Sequence, residues 1–186
     1  MLIGFGLIAA HTMLLALAGG IHWASTPERL ARIPWAIIGY LLLAAREELA
    51  FHGYPLRELV PEIKPWGALI FVSVLFAIEH RVGGASWVNA LMGSATGSLV
   101  FGMAALVTRG LALPIGLHAA WNIGDWLLGG KDDTAPWRMI VDPASTSHAA
   151  VWAMTSYVLV MALALIVLSV WRSDRIKTML TGCGAR

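Results

Sequence analysis

Apolar residues dominate six long segments of this chain, and short polar or proline- and glycine-rich stretches separate them. Apolar stretches of roughly 15–22 residues are close to the length that an α-helix needs to cross the hydrocarbon core of a membrane. Pro61 and Pro65 separate the second segment from the third, and Gly83 and Gly84 follow the third in a predicted turn. The sequence predicts helices at about 2–19, 33–59, 66–80, 87–107, 111–128 and 151–171.

This pattern predicts an all-α fold, namely a polytopic membrane helix bundle of about six transmembrane helices with a buried polar cavity. The composition agrees, since 58% of the residues are hydrophobic and only 13% are charged, whereas a soluble domain has about 25% charged residues. A length of 186 residues fits one membrane domain covering 1–186. Six spans place both termini on one side, and eight Lys and Arg residues on that side against five on the other favour the cytoplasm.

The composition also excludes several classes of function. A net charge of +2, without a basic patch interleaved with aromatic residues, argues against a nucleic-acid partner. The single cysteine, Cys183, excludes an intramolecular disulfide and lies far along the chain from other reactive groups, so we do not expect thiol catalysis. The expected partners are membrane lipid and a membrane-associated protein or peptide. The oligomeric state is not predicted, because Gly93 and Gly97 could pack within a monomer or between monomers.

A few polar residues interrupt the apolar segments, and these are the candidate site. Ionisable groups at membrane depth are costly, so they indicate function by default. At about 1.5 Å per residue four of them lie roughly 12–20 Å from the predicted inner ends of their helices, within a core about 30 Å thick, namely Glu47, His80, His118 and Asn122. Three pairs have the i,i+4 spacing that places side chains on one helix face. They are Glu48–His52, Phe76–His80 and His118–Asn122. The candidate residues are Glu47, Glu48, His52, His80, His118 and Asn122.

These residue types could activate water against a carbonyl group. Glu47 could act as a general base and hold a water together with His80. His118 and Asn122 could donate hydrogen bonds to the oxyanion, and such donors lower a barrier by about 3 kcal/mol each. Glu48 points about 100° away from Glu47 on a helix, so the two acids would serve different partners.

Two alternatives remain open on the residues alone. Glu47, His80 and His118 could instead bind zinc, with water as the fourth ligand, although the chain has no His-Glu-x-x-His motif. Zinc is therefore a candidate cofactor, and no cofactor is required by the pattern. The polar pairs could also be packing hydrogen bonds between helices.

The order of these motifs resembles that of the CPBP family, which comprises CAAX prenyl endoproteases and bacteriocin-processing enzymes and is also called the Abi family. The family pattern is Glu-Glu-x-x-x-Arg, then Phe-x-x-x-His, then His-x-x-x-Asn or Asp. This chain has Glu47-Glu48-x-x-x-His52, then Phe76-x-x-x-His80, then His118-x-x-x-Asn122. The similarity covers about 33–128, the expected catalytic core.

The resemblance implies a multi-pass peptidase of the bacterial inner membrane with an internal cavity. It implies that Glu47 and His80 activate water, that His118 and Asn122 form the oxyanion site, and that Glu48 is the supporting acid. The chain departs from the pattern at His52, where the family has arginine. Arginine can bind a carboxylate through two hydrogen bonds and is always charged, whereas histidine is charged only when protonated.

The expected function is therefore intramembrane cleavage of a membrane-associated polypeptide, by CAAX-type processing or by removal of a C-terminal or leader signal. A non-catalytic peptide-binding or bacteriocin-immunity factor is the alternative, with His52 as a mark of lost catalysis. A small transporter or proton relay would also contain buried glutamate and histidine, but the sequence has no inverted repeat to support one.

Overall fold

The protein is largely helical. A computed structural model describes the backbone of residues 1–182 and the side chains of residues 1–173, so Cys183 lies outside the described residues. The structure is 82% helical, which confirms the predicted helical membrane class. The described residues form the α-helices α1 (Leu2–Leu17), α2 (Ile33–Glu47), α3 (Tyr54–Val82), α4 (Thr96–Thr108), α5 (Ala112–Leu127) and α6 (Thr146–Gly182).

Within the described part of the chain, three helical stretches are long and apolar enough to cross a membrane, namely Pro27–Val82, Asn89–Thr108 and Pro143–Ser173. The helices α1 and α5 have 16 residues each. At about 1.5 Å per residue such helices are about 24 Å long, which is less than a typical hydrocarbon core of about 30 Å. The count of about six spans is therefore not confirmed and stays a prediction.

The longest stretch is interrupted twice. Directly after α2 the backbone forms a π-helical turn at Glu48–Gly53, and it continues from there into α3. Within α3, Ile63 and Lys64 leave the helical region, and Lys64 has a φ of 63°. They lie between Pro61 and Pro65, where proline removes a backbone donor and disfavours the helical conformation of the preceding residue. The break that the prolines predicted is therefore present.

Contacts divide the chain into two compact units. The first comprises Met1–Glu47 and Ile115–Val160, and the second comprises Glu48–Pro114 and the chain from Met161 on. The boundary at Glu47 separates the two consecutive acids of the candidate site. A single membrane domain over the whole chain stays a prediction.

The first unit contains an antiparallel strand pair that the sequence analysis missed. β1 (Ile21–Ser25) pairs with β2 (Trp137–Val141), and Trp23 lies opposite Met139. Gly19 and Gly20 have φ values of 76° and 71°, which suits glycine and turns the chain from α1 into β1. The segment 129–150, which we expected to be a polar loop, therefore contributes a strand, which includes the aromatic Trp137 and the β-branched Ile140 and Val141.

Glycines let α1 and α5 approach closely within the first unit. A Cβ at Gly4 would lie 2.7 Å from the Cβ of Ala120 and 2.9 Å from the carbonyl oxygen of Leu117. On α5, a Cβ at Gly124 would lie 2.7 Å from Cγ2 of Ile8. Small residues give membrane helices close backbone contact, so this packing fixes the position of α5, the helix that carries His118.

In the second unit α3 packs against the π-helical segment Asn89–Ala95 and α4. The close approach lies at Gly102, where a Cβ would be 2.7 Å from Cδ2 of Leu69. A Cβ at Gly93 would meet nothing within 4 Å, whereas Gly97 is buried. The close approach expected of the Gly-x-x-x-Gly spacing, within a monomer or between monomers, stays a prediction.

We expect Gly4→Ala to lower the free energy of unfolding by about 1–3 kcal/mol, because the added methyl group would overlap a backbone oxygen that cannot move aside. Gly6→Ala is the matched control on the same helix, since a Cβ there meets nothing within 4 Å. Denaturant titration in detergent micelles would measure both. Equal stability of the two variants would contradict the close approach of α1 and α5.

Candidate functional site

Glu47, the last residue of α2, is buried and contacts the guanidinium group of Arg46 and the imidazole of His118, both in the first unit. Its side chain is 7% exposed. Arg46 Nη2 donates a hydrogen bond to Oε1 over 2.9 Å. The other oxygen, Oε2, lies 3.6 Å from Nε2 of His118. That separation exceeds a hydrogen bond, so the carboxylate and the imidazole are neighbours without a direct bond between these two atoms.

α5 carries His118 and Asn122, both of which are buried. They are four residues apart and therefore lie on the same side of the helix. Their apolar neighbours Ala119 and Ile123 belong to a core cluster with Ala44 of α2. The packing of α2 on α5 thus places Glu47 beside His118.

Glu48 forms a separate pair in the second unit. Its side chain is 0% exposed, that of His52 is 1% exposed, and Nδ1 of His52 lies 2.6 Å from Oε2 of Glu48. Both residues belong to the π-helical turn that follows α2. A short hydrogen bond to a carboxylate is the stronger, charge-assisted kind, so this pair is tight and sealed from solvent.

The pair continues into two serines that the sequence analysis did not single out. Nε2 of His52 lies 3.0 Å from Oγ of Ser98 on α4. Oγ of Ser73, on α3, donates to Oγ of Ser98 over 3.1 Å. Both serines are buried. Serines in apolar helices have no spacing relation to the three motifs, so only the folded structure reveals this chain of bonds.

His80, near the end of α3, has a defined proton position. Its Nδ1 lies 3.0 Å from the carbonyl oxygen of Phe76 and 3.0 Å from Oε2 of Glu79. Both partners accept hydrogen bonds, so Nδ1 carries the proton. In a neutral ring Nε2 is then the acceptor. The predicted pairing of His80 with Glu47 in water activation stays a prediction.

A second buried histidine–serine pair lies in the first unit. Oγ of Ser156 is 3.0 Å from Nδ1 of His11, and Trp121 and Tyr157 surround the ring of His11. The sequence analysis did not assign His11 to the site. The pair joins α1 to α6, as polar residues do between membrane helices.

A separate open groove of about 550 Å³ lies in the first unit and is lined in part by Arg32, Trp35, Tyr40 and Asp132. None of the six candidate residues lines this groove. The buried polar cavity that we expected around the candidate residues stays a prediction.

The arrangement of Glu47 and His118 bears on the metal alternative. Zinc binds carboxylate oxygen and imidazole nitrogen at about 2.0–2.2 Å, so two ligands 3.6 Å apart could share one ion. A water molecule between the two groups fits the same separation. Arg46 already supplies a positive charge to the carboxylate, which disfavours a divalent ion beside it.

Comparison with known protein families gives a match over about half of the chain. The family model described as type II CAAX prenyl endopeptidase Rce1-like matches residues 29–124. That range is more than half of the chain and contains all six candidate residues. No curated protein and no solved structure matches the chain.

We expect His52→Leu to lower the free energy of unfolding by about 3 kcal/mol or more, because it leaves the carboxylate of Glu48 buried without its partner. His22→Leu is the control, since His22 faces Asp142 at 3.9 Å with both side chains more than half exposed. Exposed pairs contribute about 1 kcal/mol or less. Denaturant titration of both variants tests this, and similar losses would contradict the contribution of the buried pair.

Proposed function

We propose a specific reaction for this chain, which belongs to the type II CAAX prenyl endopeptidase Rce1-like family. Family membership and its apolar helices identify it as a peptidase that is integral to the membrane. In our proposal it hydrolyses a peptide bond near one end of a membrane-associated polypeptide, and Glu47 is the general base that activates water.

The observation that carries the proposal is the contact between Glu47 and His118. In the tetrahedral intermediate the water oxygen has formed a bond to the carbonyl carbon, and the former carbonyl oxygen, now an oxyanion, is on the same carbon. The base and the oxyanion donor must therefore be close neighbours. Nε2 of His118 lies 3.6 Å from Oε2 of Glu47, so the two groups are close enough to act on these two oxygens. Asn122, buried one turn further along α5, is the second proposed donor.

His80 and Glu48 complete the proposed machinery. The Nδ1 proton of His80 is engaged by Phe76 and Glu79. Its Nε2 can therefore accept a hydrogen bond from the attacking water and orient it for Glu47. Glu48 cannot contact the attacking water in this way, because its side chain is 0% exposed and bound to His52. We assign it a supporting role, in which its bond to His52 holds the π-helical turn that directly follows Glu47.

The proposed substrate is a polypeptide held at the membrane. A prenylated C-terminal CAAX sequence is the substrate class that the family description gives. A bacterial C-terminal sorting signal or a leader peptide presents the same chemistry, namely a peptide bond close to a lipid-associated end. The proposed location is the bacterial inner membrane, with both termini in the cytoplasm.

We expect Glu47→Gln to abolish cleavage, because the amide keeps the shape of the side chain but cannot take a proton. Loss of a general base lowers rates by about 10²–10⁴-fold. The measurement is profiling of protein termini in membrane fractions from cells that express either form. Glu58→Gln makes the same substitution at an exposed position of α3, and it should leave the profile unchanged.

A polypeptide that remains uncleaved only in the Glu47→Gln cells would support proteolysis and identify the substrate. Identical profiles, with the variant folded and present in the membrane, would contradict the proposed enzyme. That outcome would favour a non-catalytic role in binding a peptide or a partner protein.

We further expect activity to survive removal of divalent metal, because the proposed base is the carboxylate of Glu47 itself. Purified protein would be treated with a strong zinc chelator, and cleavage of a fluorogenic prenylated CAAX peptide or of the profiled substrate would be followed. Loss of activity that added zinc restores would instead favour a metal held by Glu47 and His118.

A further inference from the structure

We propose that Ser98 is a positioning residue, which holds Glu48 in place through His52. This inference rests on the proposed function, in which Glu48 supports the catalytic base, and it adds a residue to that function. Its basis is the continuous chain of hydrogen bonds in the second unit that runs from Ser73 through Ser98 and His52 to Glu48.

The protons of this chain can be assigned. An ionised glutamate only accepts hydrogen bonds, so Nδ1 of His52 carries the proton that Glu48 receives. Ser73 donates to Ser98, which leaves the hydroxyl proton of Ser98 to be donated elsewhere. The acceptor is Nε2 of His52, 3.0 Å away. Each donor therefore points toward the carboxylate, and Ser98 selects one tautomer of the ring.

The residues of α4 around the imidazole of His52 also favour this position of the ring. Ser98 and Gly102 lie four residues apart on α4 and therefore share a face. A Cβ at Gly102 would lie 3.0 Å from Cδ2 of His52 and 3.2 Å from its Nε2. Any side chain at that position would crowd the imidazole. α4 thus supplies both a hydroxyl group for the ring and the space that the ring occupies.

The order of atoms is that of the serine hydrolases, in which a carboxylate contacts Nδ1 and a serine hydroxyl contacts Nε2. A nucleophilic serine must reach its substrate. Ser98 is 0% exposed and already accepts a hydrogen bond from Ser73. The hydroxyl is therefore closed to substrate, which assigns it to positioning and not to covalent catalysis.

The first test reads the tautomer directly and does not depend on a substrate. Nitrogen NMR of protein labelled at histidine would be recorded in lipid, with the His52 signals assigned by their loss in His52→Asn. We expect Nδ1 of His52 to be protonated and Nε2 to be unprotonated. Ser98→Ala should shift the Nε2 signal and mix the tautomers. A ring protonated only at Nε2 in the unmodified protein would overturn the proposal.

The second test separates positioning from a structural contribution. Ser98→Ala should lower kcat roughly 3- to 10-fold with little change in KM, as expected for loss of one hydrogen bond that acts on the reaction. Ser156→Ala removes the buried hydrogen bond between Ser156 and His11. That bond has the same length, 3.0 Å, but is not part of the series of hydrogen bonds that leads to Glu48. Ser156→Ala should leave kcat unchanged. Equal effects of the two variants on kcat would contradict the proposal.

The third test asks whether Ser98 acts through His52. Asparagine at position 52 keeps a donor toward Glu48 but has no group that reaches Ser98. Ser98→Ala should therefore have little further effect on kcat in a His52→Asn background, which is the signature of coupled residues. Independent, multiplying effects would overturn the route through the imidazole.

These outcomes are distinguishable from failure of the proposed function. If Glu47→Gln retains cleavage, the proposed base is wrong, and the NMR result still decides whether Ser98 orients His52. If Glu47→Gln is inactive while Ser98→Ala has full kcat, the proposed peptidase function is supported and the positioning role of Ser98 is contradicted. Labelling of Ser98 by a fluorophosphonate would overturn the assignment by making it a nucleophile.

Discussion

A carboxylate that is buried away from water needs a partner, and this requirement applies to Glu47 in the first unit and to Glu48 in the second. Leaving a buried ion without its partner costs several kcal/mol, and this chain buries two glutamates in succession. Glu47 contacts Arg46 and His118, whereas Glu48 contacts His52. Of these partners only His118 comes from a different helix, so α5 must pack closely against α2 to supply it.

The backbone meets this requirement by a local change of helix type. The π-helical turn begins at Glu48, immediately after α2 ends at Glu47. π-turns are rare in proteins and occur frequently at functional sites. Here the turn contains both Glu48 and His52, so the acid and its partner are fixed within one local element. Gly102 on α4 then leaves the space that the ring of His52 needs.

Much of this fold could be predicted because hydropathy and proline positions are local signals. The apolar segments correspond to helices, and the break near Lys64 follows from Pro65. The strand pair could not be predicted, because the partner of Trp23 is Met139, in a distant part of the chain. Each strand has only five residues, and neither sequence indicates its partner.

In the candidate site, too, contacts within one helical segment could be predicted from the sequence, whereas contacts between helices could not. The i,i+4 spacing pointed to the pairing of Glu48 with His52, which the structure contains. The contact of Glu47 with His118 depends on how α2 packs on α5, and spacing within one helix carries no such information. Ser98 was missed for the same reason. Nothing in its own segment relates it to His52, and its significance comes only from the facing helix.

The contrast between the two acids is the strongest physical argument for their proposed roles. A base must exchange protons with a reacting group, so it needs a carboxylate oxygen that is not already committed to a short bond. Oε2 of Glu47 is 3.6 Å from its imidazole neighbour, whereas Oε2 of Glu48 is 2.6 Å from His52. The looser contact suits a group that acts on water, and the tighter one suits a group that holds the structure. Exchanging the two roles would require Glu48 to break its bond to His52 within a fully buried site.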